Sequence, residues 1–507
     1  MSDEAPTNSS VGGHRHPLDA ANDVNASRIE KLAALRDKGV VPYAYKFEKT
    51  AGAGELQAKY ADLENDVVTE DRVKIAGRIM AYRNSGMFID LHDETGKIQV
   101  FCHKDSLDAD QLAVVKLLDL GDIVGVTGLV RRTKRGELTI NAEKVELLTK
   151  GLMPLPEKYH GLSDQEMRYR QRYVDLIVNE EIREVLRRRS RIVASIRGLM
   201  AEKGFLEVET PMLHPIVGGA SAKPFVTHHN TLDMELYLRI APELYLKRLI
   251  VGGLSERVFE INRSFRNEGI STRHNPEFTM LEAYQAYADF TDMMRLAEDL
   301  IEKAAIAATG GTTVTFGEQE LNLKGPFRAE PMTELVREAT GIDFMEVETA
   351  EAAREAAKGL QIELTGKENW GQVVELCFEE KVEPTLIQPT HVTRFPREIS
   401  PLAKPDRDDP RLTERFETFV NTWEVANAFS ELTDPADQFD RFAAQVAQRE
   451  AGDAEAQMMD RDYVTALEYG LPPCGGLGLG IDRLTMLLTD SPSIRDVILF
   501  PTLRPRS

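Results

Sequence analysis

The chain has 507 residues with 62 Lys and Arg, 83 Asp and Glu, and a formal net charge of −21. That length exceeds one ordinary hydrophobic core, so two or more domains are expected; 42% hydrophobic and 29% charged residues is the balance of a soluble globular protein. The charge excludes a uniformly basic surface, and no apolar run reaches the roughly 18 residues of a membrane span.

Residues 1–25, rich in Ser, Asn, Asp and Gly, are expected to form a disordered tail without a secretory leader. "ASRIEKLAALRDKGV" (26–40) puts Ile29, Leu32 and Leu35 at helical spacing, and Gly39 ends the helix. From 72 to 148 the pattern alternates. "VKIAGRIM", "MFIDLHD", "KIQVFC", "DIVGVTGLV" and "LTINAEKVELL" read as five short strands, with a helix at 110–118 between the third and fourth. That order suggests an OB-fold barrel, a fold whose open face commonly holds single-stranded nucleic acid. Residues 71–150 are also nearly neutral, with 13 Lys and Arg against 12 Asp and Glu, and "RRTKRGE" (131–137) concentrates basic side chains. Taken alone, that cluster reads as a solvated hairpin tip and Phe88 as a core residue. On a barrel face, Phe88 would instead offer a stacking surface, with Arg83, Gln99 and Glu137 as hydrogen-bonding groups. The first domain is therefore drawn at 26–150.

"GLMPLPEKYHGL" (151–162) opens a linker expected to reach 175. A long amphipathic helix follows, with Ile182, Val185, Leu186, Val193, Ile196 and Leu199 inward, Arg187–Arg191 outward and Gly204 closing it. Strands and helices then alternate through a second domain, 176–507. Cys102, Cys377 and Cys474 are too scattered for a disulfide framework or a zinc site, and the cytoplasm is the expected location. Residues 303–370 carry no functional signal.

The chemistry begins in "VFEINRSFRNE" (258–268). Read as a strand, it puts Glu260, Asn262, Ser264, Arg266 and Glu268 on one face and Phe259, Ile261 and Phe265 on the other. "FTMLEAYQAY" (278–287) aligns Phe278, Met280, Glu282 and Tyr284; "WEVANAFSEL" (423–432) aligns Asn427, Phe429 and Glu431. Two strands thus bring Glu282 and Glu431 to one volume, where carboxylates repel unless a cation joins them. A guest ammonium on an aliphatic stem would satisfy both and pack on the aromatics. Paired carboxylates could serve acid–base work as in glycosidases, but the neighbouring arginines call for anions. Glu417 and Glu424, seven apart, suit a hard cation bridging phosphates. "GGLGLGIDRLTMLL" (475–488) leads glycines into a helix with Arg483 near its start, which favours an anion. It fits neither a Walker nor a Rossmann pattern.

These stretches resemble the class II aminoacyl-tRNA synthetases, and among them the bacterial-type lysyl-tRNA synthetases. "GFLEVETPML" with Pro211, "FRNEGISTRHNPEFT" (265–279) and "GLGLGIDR" (476–483) stand in the order of the three class signatures; "RIAPELYLKR" (239–248) and "NAFSEL" (427–432) look like the lysyl branch. The likeness runs from about residue 26 to the end. It implies an α+β multidomain protein: an N-terminal OB-fold β-barrel plus a class II catalytic domain with an antiparallel β-sheet flanked by helices. It implies a lysine–tRNA ligase with L-lysine, ATP and tRNA(Lys) as partners, acting as a homodimer through the Pro211 region without membrane attachment. By position, Arg266 would bridge the lysine carboxylate and the α-phosphate, and Glu268 and Phe278 would read adenine. Arg273, His274, Gly480 and Arg483 would hold the phosphates, with Arg266 and Arg483 as the catalytic cations. Gly219 and Glu243 would take the α-ammonium, Asn427 the carboxylate, and Glu282, Tyr284, Phe429 and Glu431 the side chain. Glu417 and Glu424 would ligate Mg²⁺, about three ions per site by the likeness. Arg83, Phe88, Gln99 and Glu137 would meet the anticodon.

Rival readings are weaker. An aspartyl or asparaginyl pocket would present a cation or a polar set rather than Glu282 with Glu431. A protein-lysylating relative would lack the barrel, and a regulatory paralogue would not need every catalytic group. One departure stands out: Trp423 occupies the position before Glu424 where the family usually has a basic residue.

Overall fold

The computed structural model describes residues 16–19, 22–156, 162, 164–220, 222–452 and 455–505. The chain divides into two compact units, Met1–Leu162 and Ser163–Ser507.

In the first unit, most of the expected tail lies outside the described residues, and helix α1 (Asp23–Asp37) already starts at Asp23. Asn22 caps it by accepting the Asn25 N–H. After α2 (Ala53–Lys59) come β1 (Val68–Arg83), β2 (Phe88–His92), β3 (Lys97–Phe101), α3 (Ala109–Val115), β4 (Ile123–Arg132) and β5 (Leu138–Thr149). The strands close a barrel in the order β1-β2-β3-β5-β4. Strict alternation builds it: Ile89, Leu91, Ile98 and Val100 fill the interior while Phe88, Asp90, Gln99 and Phe101 face out.

The second unit opens with α4 (Gln165–Arg170) and α5 (Arg172–Val178), so the span expected as linker to 175 is helical from Gln165 onward; residues 157–161 lie outside the described ones. Helix α6 (Glu180–Glu202) buries Ile182, Leu186, Ile192, Ile196 and Met200. Its arginines do not all point outward: Arg189 turns in to Asp482, at 2.5 Å. Next come β6 (Leu206–Glu207), β7 (Leu213–His214), β8 (Val226–His229), β9 (Met234–Leu238), α7 (Glu243–Val251), β10 (Arg257–Phe265) and β11 (Glu277–Ala286). Helix α8 (Phe290–Thr309) is started by the Asp289 side chain and stopped by Gly310 at φ 88°. A β12 (Thr313–Phe316) and β13 (Gln319–Asn322) hairpin leads to β14 (Arg328–Pro331). Helices α9 (Met332–Thr340), α10 (Ala350–Ala357) and α11 (Trp370–Lys381) follow, then β15 (Thr390–Thr393), β16 (Arg415–Val420) and β17 (Trp423–Ser430). Helices α12 (Pro435–Glu450) and α13 (Arg461–Glu468), strand β18 (Cys474–Gly480), and helices α14 (Ile481–Leu488) and α15 (Ile494–Val497) finish the chain.

Eight strands form one sheet, β14-β15-β16-β17-β18-β11-β10-β6, antiparallel except at its two outer pairs. One face is sealed by α6, α8 and α14 over Phe259, Leu281, Ala283, Ala426, Leu477 and Leu479. The other face is left for the site. Helices α9 to α11 gather a separate core around Val336, Phe344, Val373 and Phe378 between the parallel neighbours β14 and β15.

Candidate active site and nucleic-acid face

The floor of the site is β18. Leu477 and Leu479 point into the core, so Gly476, Gly478 and Gly480 share the opposite face and leave it bare. A Cβ at Gly476 would collide with Glu431 Oε1 and the Tyr284 ring. Strands β11 and β17 flank this floor, pairing Tyr284 and Phe429 with Gly476, and Glu282 and Asn427 with Gly478. The sequence reading of 475–488 as an approach to a helix therefore misses a strand of period-two glycines.

The expected strand 258–268 ends sooner, at Phe265. Within it the polar row is partly structural: Glu260 accepts from Arg239 Nη1 at 2.7 Å and from Thr210 at 2.7 Å, and Asn262 bonds Glu260. Arg266 and Glu268 stand past the strand end, in the wall of an open cleft of about 710 Å³ including its mouth. Arg273, His274, Phe278, Gly480, Glu424 and Arg483 line the same cleft. The Arg266 guanidinium lies 5.1 Å over the Phe278 ring, and its Nε is buried without a hydrogen-bond partner. Such an orphaned cationic donor fits an anion. Burial, reinforced by Arg483, lowers the His274 pKa and so favours its neutral imidazole.

Glu424 reaches this cleft because β17 is out of phase. A bulge in the β16–β17 ladder sends both Val425 and Ala426 into the core, so Glu424 returns to the face of Asn427. Glu417, opposite Asn427, shares that face. Arg483 Nη1 bonds Glu424 Oε2 at 2.9 Å, and Arg415 bonds Glu417 at 2.6 Å and Asn427 at 3.1 Å. Burial and then the Glu424 charge push the Glu417 carboxyl up to about 8. A buried acid whose ionisation is opposed by a neighbouring carboxylate is suited, together with that neighbour, to a hard divalent cation.

Behind the cleft lies a buried acid cluster. Gly219, at φ 91°, packs its backbone against Glu243 at the start of α7. Glu282 accepts from the Tyr284 hydroxyl at 3.1 Å and, among the described residues, makes no ion pair. Burial, then the charge of Glu243, pushes the Glu282 carboxyl up to about 8. Glu431 corrects the expectation that both acids await a guest. Its Oε2 already accepts from the fully buried Lys247 at 2.5 Å, and the same ammonium bonds Glu243 at 2.5 Å. Glu431 Oε1 stays buried without a partner. The cluster thus holds three carboxylates and one ammonium, and compensation from inside is partial.

On the barrel, Phe88 packs on Phe101 at 5.0 Å; Phe101 stacks on His103 at 5.2 Å and carries Arg131 5.1 Å above its ring. Gln99 accepts from Thr139 at 3.1 Å, Arg83 pairs with Asp90 at 2.6 Å, and Glu137 is exposed at the β4–β5 turn. Phe88 therefore belongs to an outer aromatic row and not to the core.

The family model of class II tRNA synthetases (D, K and N) matches residues 164–504, and that of the OB-fold nucleic acid binding domain matches 73–148. The chain belongs to the class II tRNA synthetases. It is 54% identical over 487 residues to the lysine–tRNA ligase of Sinorhizobium medicae, which covers 96% of this chain and 98% of the relative. The lysine–tRNA ligase of Agrobacterium fabrum is also 54% identical with the same coverage, and that of Carboxydothermus hydrogenoformans is 55% identical, covering 96% and 99%.

Against this synthetase family, the Trp423 departure has a structural account. The indole is buried beneath the sheet, edge-on to Phe316 at 5.0 Å, and Arg273 stacks on it at 5.4 Å. From the core side, its ring steadies the Arg273 guanidinium. Sequence reasoning missed Lys247, Arg415, Phe101 and His103, and had Arg131 only as part of the basic cluster 131–137. For Phe101 the signal was present, since it alternates with Val100 and Gln99 on β3. Arg415 shares a face with Glu417 two residues on, and Lys247 follows Glu243 by one helical turn.

Proposed function

We infer that the chain is a lysine–tRNA ligase: it activates L-lysine with ATP, releasing pyrophosphate, and transfers lysine to the 3′ end of tRNA(Lys). The observation in the structure that carries the choice of lysine is the buried cluster of Glu243, Glu282 and Glu431, which outnumbers its single internal ammonium, Lys247. Buried acids in excess favour a bound cation, and an alkyl stem suits the rings of Tyr284 and Phe429.

Glu282, Tyr284 and Glu431 take the ε-ammonium, Glu243 and the Gly219 backbone the α-ammonium, and Asn427 helps hold the carboxylate. Glu268 and Phe278 hold adenine. Arg273, His274, Gly480 and Arg483 hold the phosphates. The lysine carboxylate attacks the α-phosphorus in line, the bond to pyrophosphate breaks, and lysyl-adenylate forms. A ribose hydroxyl of the tRNA then attacks the lysyl carbonyl and AMP departs. No side chain acts as nucleophile; Arg266 positions both reactants and meets charge growing on the phosphate oxygens. Glu417 and Glu424 fit Mg²⁺, which when bound neutralises phosphate charge. Arg83, Phe88, Gln99 and Glu137 read the anticodon, joined by the stacked Phe101. The exposed apolar residues Leu206, Met212, Leu213 and Val226, at and after edge strand β6, support a homodimer.

Lysine-dependent ATP–pyrophosphate exchange, followed by charging of transcribed tRNA with a UUU or CUU anticodon, tests the reading. Arg266→Ala should lower exchange by roughly 100-fold or more. Exchange that survives this change refutes the role given to Arg266.

A further inference from the structure

Lys247 is a group at the amino-acid pocket that the reaction above leaves without a task. Its side chain has no exposed surface. The ammonium donates to Glu243 Oε1 and Glu431 Oε2, each at 2.5 Å, and lies 5.9, 5.8 and 5.5 Å from the ring centres of Tyr284, Phe429 and Tyr463. A buried ammonium is tolerated where acids and aromatic faces surround it. Here the arrangement is lopsided in an informative way. Lys247 takes one oxygen from each acid and leaves the other: Glu431 Oε1 is buried with no partner, and Glu282 has the Tyr284 hydroxyl.

The charges then count out. With a guest bound and all three carboxylates ionised, one resident ammonium leaves two negative charges to be matched. Free lysine brings two ammoniums, with its own carboxylate turned to Arg266. A guest with one ammonium leaves a buried acid unmatched, and a guest with a side-chain carboxylate worsens the excess.

We propose that Lys247 is a positioning and specificity residue: a built-in ammonium that anchors one oxygen each of Glu243 and Glu431, directs the other towards the substrate, and sets the deficit of the pocket at two positive charges. The proposal rests on the lysine reading above. It is distinct from the assignment of Glu282 and Glu431 as ligands, because Lys247 acts through those acids and touches no substrate atom.

The test uses the full-length protein in lysine-dependent pyrophosphate exchange. Lys247→Met keeps the volume and removes the charge. KM for lysine should rise at least about tenfold while KM for ATP stays within about twofold, since the nucleotide cleft is untouched. An unchanged lysine KM, or an equal rise for both substrates as from a loss of packing, overturns the proposal. Should the variant not fold, the wild-type structure with L-lysine and a non-hydrolysable ATP analogue decides. Lys247 should still bridge both acids, with the other Glu431 oxygen on the ligand; Lys247 displaced from Glu431 overturns it. A wild type that exchanges without regard to lysine takes down the ligase reading as well, whereas a lysine-dependent wild type with an indifferent Lys247→Met takes down this inference alone.

Discussion

Glu282 is protonated through most of the neutral range, because burial and the neighbouring Glu243 hold its pKa near 8. An ε-ammonium needs the ionised form, so binding lysine below that pH must expel a proton. Lysine KM should therefore fall as pH rises from 6 to 8, by up to about tenfold per unit, and Glu282→Gln should flatten the profile. Stability runs the other way. A carboxyl with a raised folded pKa contributes stability that is complete below its unfolded value near 4.5 and is lost as pH climbs through 8. The free protein should thus give up this contribution towards pH 8, and the Tm gain on adding lysine should be larger at pH 8 than at pH 6. Glu282, Tyr284 and Glu431 were legible from alternation alone. Lys247 was not: a lysine one turn after a glutamate on a helix reads as an ordinary surface pair, and only its burial shows otherwise.

At the scale of elements, the site depends on two strands that do what their composition hides. Strand β18 has glycines every second residue, and a side chain at Gly476 would run into Glu431 and the Tyr284 ring. Gly476→Ala should raise lysine KM at least about tenfold through the clash with Glu431 and Tyr284, with a smaller change for ATP. Equal KM values for the variant and the wild type would show that the floor lies elsewhere. Strand β17 carries the bulge that turns Glu424 to the site face. A sequence read at strict period two puts Glu424 in the core, and no residue type there marks the extra step. The end of β10 at Phe265 was less visible, because Arg266 continues the alternation and still donates in register to the Pro276 carbonyl, but Pro276 has no N–H to return and the ladder stops there.

At the scale of the whole molecule, barrel and catalytic sheet have separate cores and separate tasks. Phe88→Ala should lower kcat/KM for tRNA charging by roughly 5- to 100-fold, the worth of one stacked base, and leave lysine-dependent exchange within about twofold. Loss of both activities together would place Phe88 in folding instead. The five barrel strands were legible because each alternates cleanly between turns. The helical cluster inside 303–370 and beyond was not, since its apolar residues pack on one another and carry no chemistry that names a partner. Its attachment has a consequence of its own. The cluster leaves from β14 and comes back on β15, which lie side by side with Arg328 opposite Thr390. An excursion whose exit and return adjoin can lengthen or shorten without moving either anchor, so differences in size among enzymes of this architecture should accumulate there while the reacting groups keep their spacing.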